Sequence, residues 1–392
     1  MKFLHTADWH LGRTLGGRDL LSDQRHTLEH LVEIAREQRV DAVVIAGDVY
    51  DRIQPSEEAI NLFSDVLTQL RKVCQVLCIG GNHDSAGRIG FASELLAQGG
   101  VFMVGNELGA PKSIDIACID RPTDRVRFHM MPYATPEEVR SALKDVSIRT
   151  HSEAITARVA LCELAMNAPN VLVAHLFAQG CRSSDSERDI SVGGIAEVDA
   201  AAFSQFAYTA LGHLHEPHNV RGSHEEQSPA RYSGSICRYS FSEEKHEKGV
   251  TIVTIDRSGT VTTTQLPLRQ TVGMRTICGE LEEIVAAANL ETPEARASDL
   301  VWVELTDTAP TGPAHARVRA LYPNMLEFSY RSPTAAVGGG RITEAQLRSE
   351  SPFEHFSTFF AASSGHLSEL EKSNALAVAR ECLQIATKED IN

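Results

Sequence analysis

Short apolar runs alternate with helix-period segments over residues 1–110 of the chain. Three of the runs are largely apolar and predict strands: KFLHTAD, DAVVIAGD and CQVLCIGGNHD. The segments between them, QRHTLEHLVEIAREQ and SEEAINLFSDVLTQLRK, repeat apolar residues at helical spacing. This βαβαβ order predicts a layered α/β sheet with helices covering both faces.

Further strands are predicted at VRFHMMP, NVLVAHL and AYTALGH, and at GVTIVTID and TVTTTQLPL, which RSG joins as a hairpin. From about residue 270 a smaller alternation, GMRTICGE to NMLEFSYRS, predicts a compact βαβαβ unit, and TAAVGGG predicts the linker after it. We therefore expect a main domain at residues 1–268, a small α+β domain at 269–334 and a helical, partly amphipathic segment at 341–392.

The composition is ordinary for a soluble protein, with 42% hydrophobic and 23% charged residues. No basic-then-apolar N-terminus and no run of about eighteen apolar residues occurs, so we expect a cytoplasmic protein with no membrane span. The eight cysteines form no Cys-x-x-Cys pair and are expected to be reduced thiols. The net charge of −15 argues against binding nucleic acid through the overall field of the protein.

Polar side chains that can bind metals follow five of the predicted strands, each at the point where its strand ends. They are Asp8 and His10, then Asp48 and Asp51, then Asn82, His83 and Asp84, then His175, and finally His213 and His215. Ligands of open α/β sheets bind at the carboxyl ends of the strands, so these groups are expected to converge. Burying so many of them together is costly unless a cation neutralises and coordinates them, and a pair of divalent metals would do so.

Two of the three histidines in the stretch GHLHEPH are candidate ligands, and the third is not. His213 and His215 alternate, as residues on one face of a strand or turn do, whereas His218 lies three residues further on and is expected at the surface. His5 lies inside the first strand and is expected to be packed. Trp9, between two candidate ligands, is expected to shape the wall of the site.

The motifs D-x-H, G-D-x-x-D, G-N-H-D, a lone histidine and G-H-x-H resemble those of the calcineurin-like metallophosphoesterase superfamily. Within it, FLHTADWHLG, SERDISVGG, YTALGHLHEPH and RYSGSICRYSFSE are similar to the double-strand-break repair nuclease family of bacteria. The resemblance covers roughly residues 1–265 and is looser beyond them, where SPFEHF is the familiar stretch. It implies a metallophosphoesterase β-sandwich flanked by helices, a small capping domain that faces DNA and a helical tail.

The resemblance also implies a role for each strand-end residue. One metal would be held by Asp8, His10, Asp48 and His215, and the other by Asp48, Asn82, His175 and His213, with Asp48 bridging both. His83 would stay off the metals as an acid near the scissile phosphate, and Asp51 would orient it.

Oxygen and imidazole ligands without cysteine suit hard to borderline ions. Two Mn²⁺ ions are therefore the first expectation, with Fe or Zn as possibilities and Mg²⁺ less natural for so many histidines. Two such metals can lower the pKa of a water held between them, and the resulting hydroxide would attack the phosphodiester while His83 assists the leaving group.

Local basic residues could bring an acidic chain to DNA. The candidates are Arg13, Arg18, Arg88 and Arg238. The chain has no G-x-x-x-x-G-K-[ST] phosphate loop, so ATP hydrolysis is not expected of it. The resemblance implies an SMC-like ATPase partner docked on residues 341–392, a homodimer within a heterotetramer, and a place at the nucleoid.

The leading hypothesis is a metal-dependent DNA nuclease subunit, a double-strand exonuclease and single-strand or hairpin endonuclease acting in DNA end processing, repair and recombination. A second hypothesis keeps the metals but assigns a small phosphodiester or phosphomonoester as substrate. A third, a scaffold without catalysis, would be favoured by a missing ligand, and no member of the ligand set is missing from the sequence.

Overall fold

A computed structural model describes residues 1–179, 181, 184–187, 198–220, 230–307, 313–331, 357, 360 and 372–380. The predicted linker TAAVGGG, most of SERDISVGG and most of the C-terminal segment 341–392, including SPFEHF, lie outside these residues.

The secondary structure follows the predicted alternation. In chain order the strands are β1 (Lys2–Thr6), β2 (Thr14–Leu15), β3 (Arg18–Asp19), β4 (Ala42–Ala46), β5 (Gln75–Ile79), β6 (Val101–Val104), β7 (Lys112–Ala117), β8 (Arg125–Met131), β9 (Asn170–His175), β10 (Tyr208–Gly212), β11 (His218–Asn219), β12 (Ala230–Tyr232), β13 (Gly249–Ile255), β14 (Val261–Pro267), β15 (Gly273–Gly279), β16 (Asp299–Leu305) and β17 (Met325–Tyr330). The helices whose bounds lie within the described residues are α1 (Leu21–Glu37), α2 (Glu57–Arg71), α3 (Ala86–Ile89), α4 (Ser93–Gln98), α5 (Pro136–Leu143), α6 (His151–Ala160), α7 (Leu281–Ala288), α8 (Pro293–Ser298) and α9 (Ala314–Leu321), with 3-10 turns at Ala200–Phe203 and Phe241–Glu243. Residues 372–380 of the predicted helical C-terminal segment are also helical.

Two large sheets form a sandwich. Within the described residues, the first sheet has the order β14-β13-β1-β4-β5-β6 and the second has the order β11-β12-β10-β9-β8-β7. In the first, β1, β4, β5 and β6 are parallel, and β13 and β14 form the predicted antiparallel hairpin. In the second, β8, β9, β10 and β12 are parallel.

Consecutive residues of the buried strands face opposite layers. Phe3 of β1 points between the sheets, where its ring lies 5.3 Å from that of Phe128 on β8. Leu4 belongs instead to the outer core, together with Leu28 of α1 and Leu62 of α2. Strands buried on both faces read as continuous apolar runs, which explains AVVIA in β4.

The β-sandwich flanked by helices is confirmed, but helices do not cover both faces of one sheet. The inner face of the first sheet is covered by the second sheet, and α1 and α2 pack on its outer face only. The alternation in the first 110 residues contains no sign of the second sheet, because that sheet is built from strands later in the chain.

The predicted small βαβαβ unit is present as the parallel sheet β15-β16-β17. Its own core includes Leu281 and Ile284 of α7, Val303 of β16 and Val318 of α9. On its other side the unit meets the main body, where Trp302 lies 6.0 Å from the ring of Phe241. The boundaries 1–268, 269–334 and 341–392 stay a proposal.

Within the described residues, no helix combines the length and the apolar character needed to cross a membrane.

Candidate metal centre

Several candidate ligands lie on backbone that L-residues rarely adopt. The φ angles of Asp8, His10, Asp48 and His213 are 53°, 43°, 49° and 108°. A non-glycine residue held in this region costs about 1–3 kcal/mol, and such strain concentrates at functional sites. Paired loops hold it in place: the amide of Asp8 donates to the carbonyl of Gly47, and the amide of His10 donates to the carbonyl of Asp48, both at 3.0 Å.

The strand-end loops approach each other so closely that a side chain would not fit between them. A Cβ atom on Gly81 would lie 2.2 Å from Oδ1 of Asp48 and 2.4 Å from its amide nitrogen. In the stretch GGNHD after β5, a Cβ atom on the first glycine, Gly80, would meet nothing closer than 3.8 Å, so the second glycine is the one that permits the close approach.

The first donor group consists of Asp8, His10, Asp48 and His215, which lie on the loops after β1, β4 and β10. Nε2 of His10 lies 3.1 Å from Nε2 of His215 and 3.6 Å from Oδ2 of Asp48. Asp8, His10 and His215 offer ligand atoms that all lie within 4.8 Å of one another. All four residues are buried.

The second donor group consists of Asp48, Asn82, His175 and His213, so the two groups share Asp48. Nε2 of His175 lies 3.4 Å from Oδ2 of Asp48 and 2.8 Å from Oδ1 of Asn82. Nδ1 of His213 lies 3.2 Å from the same Asn82 oxygen. The structure thus brings together the two predicted ligand sets, and Asp48 stands between them.

His83 lies beside the first group, and its ring offers a ligand atom within 4.8 Å of those of His10 and Asp48. Its ring centroid is 4.7 Å from that of His10, and its amide donates to Oδ1 of Asp48 at 2.8 Å. Nδ1 of His83 lies 2.8 Å from the backbone carbonyl of Asp51, not from its carboxylate. That carboxylate instead faces Arg13 at 3.1 Å and Nδ1 of His10 at 3.6 Å. The contact that orients His83 is therefore a backbone one, and the Asp51 side chain contacts other partners.

The two buried carboxylates of the centre have pKa values shifted in opposite directions. Burial alone would raise the pKa of Asp48, but His175 and His10 hold it well below its usual range. Burial raises the pKa of Asp8 to about 7, although His175 and His215 act against that shift. Burial would lower the pKa of His175, but the carboxylate of Asp48 raises it to about 9. Burial lowers the pKa of His213 to about 3. A cation among these groups would hold both carboxylates ionised.

The donor atoms fit divalent metal ions. Nδ1 of His175 donates to the carbonyl of Ala46 at 2.9 Å, so Nε2 is the nitrogen that a metal ion would bind in place of a proton. This nitrogen faces oxygens of Asp48 and Asn82 that can bind the same ion. Buried oxygen and nitrogen atoms that converge in this way are what a metal ion would satisfy.

Sequence reasoning missed residues that hold these loops together. The carboxylate of Asp84, noted only as one of the strand-end groups, accepts from the amides of Val49, Tyr50 and Gly81 at 2.9–3.1 Å. The buried amide of Gln24 donates to the carbonyls of Trp9 and His10 at 3.0 and 2.8 Å.

A third missed residue, Glu243, is buried behind His215. The available signal for it was its place in RYSGSICRYSFSE. No sequence signal distinguished Gln24 from the other polar residues of α1.

The four arginines predicted to contact DNA are held differently. Arg13 lies at the edge of the centre, where it donates to Asp51. Arg18 and Arg238 are each tied to an acceptor 3.0 Å away, an aspartate carboxylate and a backbone carbonyl respectively. Arg88 is exposed on α3.

The expectation for His5 agrees with the structure, whereas His218, expected at the surface, is half-buried in β11. His5 is packed between the hydroxyl of Tyr208 at 3.0 Å and the carbonyl of Leu211 at 3.1 Å. Trp9 is fully buried and underlies the loop of the first donor group. His218 is half-buried at 2.7 Å from the carbonyl of Glu216, outside the metal-binding clusters of the described residues.

Comparison with known proteins gives two family matches along the chain. A model described as calcineurin-like phosphoesterase matches residues 1–217, which is more than half of the chain. A model of the SbcD C-terminal domain, described as type 5 capsule protein repressor C-terminal domain, matches residues 270–364.

Solved structures include two similar chains. A dimetal phosphatase from Danio rerio is 12% identical, with a TM-score of 0.40, over 69% of this chain and 99% of its own. A protein of Thermus thermophilus is 11% identical, with a TM-score of 0.37, over 67% of this chain and 98% of its own.

Proposed function

Because the chain belongs to the calcineurin-like phosphoesterase family, we propose that it is the two-metal-dependent nuclease subunit of a DNA end-processing complex. The observation that carries the proposal is the convergence of two donor groups on Asp48, in a chain that also matches the SbcD C-terminal domain. Its substrates would be DNA ends and hairpins, in repair and recombination at the nucleoid of the cytoplasm.

The proposed ligands are those of the two donor groups. They are Asp8, His10, Asp48 and His215 for one ion, and Asp48, Asn82, His175 and His213 for the other. When bound, the ions would supply positive charge for the phosphate oxygens and acidify the attacking water. Nitrogen and oxygen donors without sulfur make Mn²⁺ the proposed ion.

His83 is proposed to manage the proton of the leaving group. Its Nδ1 donates to the carbonyl of Asp51, which leaves Nε2 free to act toward the phosphate. The short contact between its amide and Asp48 fixes its distance from both donor groups. Asp51 would assist through its backbone carbonyl, while its carboxylate restrains Arg13.

DNA and an SMC-type ATPase of the SbcC kind are the proposed partners. The match to the SbcD C-terminal domain supports the ATPase partner, which would dock on residues 341–392. The exposed Arg88, on the helix directly after the GNHD loop, is the arginine best placed to contact the phosphate backbone of DNA. Since the chain carries a net charge of −15, the partner would supply further basic surface, and a homodimer would present two such centres.

The test is cleavage of an end-labelled DNA hairpin and a linear duplex in Mn²⁺, with and without the ATPase partner. His83→Ala should lower cleavage about 10²- to 10⁴-fold while two ions per chain are retained. His26→Ala is the matched control, because His26 is an exposed histidine on α1, bonded only to the carbonyl of Ser22.

Two results would contradict the proposal. Absence of DNA cleavage together with strong hydrolysis of bis-p-nitrophenyl phosphate would favour a small phosphodiester or phosphomonoester as substrate. Undiminished binding of the ATPase after deletion of residues 341–392 would refute the docking role of that segment.

A further inference from the structure

A buried ion pair lies on the Nδ1 side of the His215 ring, opposite the nitrogen that faces His10. Oε1 of Glu243 is 3.1 Å from Nδ1 of His215, and Oε2 of Glu243 is 2.5 Å from Nζ of Lys248. The hydroxyl of Ser186 is 2.6 Å from the same Nδ1 and also contacts Glu243. The side chains of Glu243 and Lys248 are 0% exposed.

We propose that Glu243 and Lys248 are positioning residues that prepare His215 to bind a metal ion. The inference rests on the proposed function, because it takes His215 as a ligand. Neither residue touches the substrate or the ion in this scheme. They act through the orientation, tautomer and basicity of one imidazole ring.

The neighbours of the His215 ring determine which nitrogen carries the proton. The hydroxyl of Ser186 donates its hydrogen to Oε1 of Glu243, so both groups can only accept from Nδ1, and that nitrogen carries the hydrogen. Nε2 of His215 is then the lone-pair nitrogen, and it is the one 3.1 Å from Nε2 of His10. A carboxylate behind a ligating histidine fixes the ring and strengthens it as a donor.

The backbone of His215 is also held, through both its carbonyl and its amide. Nζ of Lys248 donates to the carbonyl of His215 at 2.9 Å, and the amide of His215 donates to Oε1 of Glu187 at 2.7 Å. Lys248 also donates to the hydroxyl of Ser235 at 2.8 Å. The same short segment of chain therefore holds both the ring and the peptide of one ligand.

Apolar residues of similar volume often stabilise a fold as well as a buried ion pair does, so stability alone does not explain the pair. Nζ of Lys248 lies 2.5 Å from Oε2 of Glu243, which leaves Oε1 turned toward Nδ1 of His215. The pair therefore has a positioning role that apolar side chains would lack.

The experiment measures Mn²⁺ binding to the metal-free full-length chain by isothermal titration calorimetry, beside its thermal unfolding in EDTA. Glu243→Gln should lower the affinity for one of the two Mn²⁺ ions about 10- to 100-fold and leave the affinity for the other within about twofold of the wild type. The double variant Glu243→Gln/Lys248→Met removes both charges together, so it avoids an unpaired buried charge and should fold. It should show the same selective loss.

Glu247→Gln is the matched control, because Glu247 is an exposed glutamate in the segment between Glu243 and Lys248. Nitrogen chemical shifts of His215 give a second readout, since its protonated nitrogen should be Nδ1 in the wild type and become mixed in Glu243→Gln. If the pair were purely structural, its loss would lower the melting temperature and would weaken the binding of both ions alike or of neither. Either result would overturn the inference. If the wild type itself fails to bind two ions, the proposed function fails, and the inference fails with it.

Discussion

The three-way hydrogen bonding of Asp84 offers a direct test of how the centre is assembled. Its Oδ2 accepts from the amides of Gly81 at 2.9 Å and Val49 at 3.1 Å, and its Oδ1 accepts from the amide of Tyr50 at 2.9 Å. Val49 and Tyr50 follow Asp48, and Gly81 precedes Asn82. One carboxylate thus clamps two loops that carry proposed ligands.

Asp84→Asn replaces one oxygen with a donor and removes the charge. Whichever way the amide turns, at least one of the three bonds is lost, and an NH₂ group then faces a backbone N–H. Hydrogen bonds to charged groups contribute about 1.5–3 kcal/mol, against about 0.5–1.5 kcal/mol for neutral ones. One lost bond and two weakened ones cost about 3–5 kcal/mol, and removing a buried charge whose pKa is raised offsets part of this cost, so we expect the free energy of unfolding to decrease by about 1–3 kcal/mol.

The assay is urea unfolding at pH 8 in EDTA. Burial raises the pKa of Asp84 to about 6, with the Asp48 carboxylate adding to the shift, so the carboxylate is ionised at this pH. The chain has two tryptophans, and a Trp302→Phe background leaves the buried Trp9 as a reporter of the main body.

The control for this prediction is Asp65→Asn. Asp65 is 59% exposed, and its carboxylate lies 3.7 Å from Arg25. Exposed pairs of this kind contribute little, so the expected change is below about 0.5 kcal/mol. If the free energy of unfolding of Asp84→Asn lies within about 0.5 kcal/mol of the wild-type value, Asp84 does not clamp the two loops as described.

Three further predictions follow from the same contacts. Burial, reinforced by Arg231, lowers the pKa of His5 from 6.5 to about 3. As the pH falls, His5 therefore gains a proton in the unfolded chain before it does so in the folded chain. The contribution of neutral His5 to the free energy of unfolding is fully present above pH 6.5 and decreases as the pH drops toward 3. At pH 5 the loss is about 2 kcal/mol, and urea unfolding at pH 7.5 and 5 should show His5→Gln to be less acid-sensitive than the wild type by that amount; equal sensitivity would contradict it. Gly81→Ala would place a Cβ 2.2 Å from Oδ1 of Asp48 and should weaken Mn²⁺ binding measured by calorimetry. Gly87→Ala meets nothing within 4 Å and should bind like the wild type, so equal affinities for both variants would count against the close approach. Finally, Mn²⁺ at about 100 times its Kd should stabilise the fold by about 2.7 kcal/mol per site, so that EDTA lowers the melting temperature of the wild type more than that of Asp48→Asn.

The sequence by itself determined the parts of the fold whose cause is local. Strand-period apolar runs and helix-period segments predicted β1, β4, β5, α1 and α2, and the small unit from β15 to β17. The strand-end donors were also visible, because a polar group directly after a buried strand must lie at the carboxyl edge of a parallel sheet. Asp8, Asp48 and Asn82 could be placed near one another on that ground alone, whereas His175 follows β9 of the second sheet and reaches them through the packing of the two sheets.

Only the tertiary structure decided what joins residues far apart in the chain. The second sheet covers the inner face of the first because strands encoded after residue 110 fold back on it, and no periodicity in β1 or β4 announces that partner. The same reason hid Gln24, which bonds the hydroxyl of Tyr239 across 215 positions, and Lys248, which bonds the carbonyl of His215 across 33. It also decided that His83 faces the carbonyl of Asp51 and not its carboxylate, since residue identity specifies which atoms are available and packing selects which of them meet.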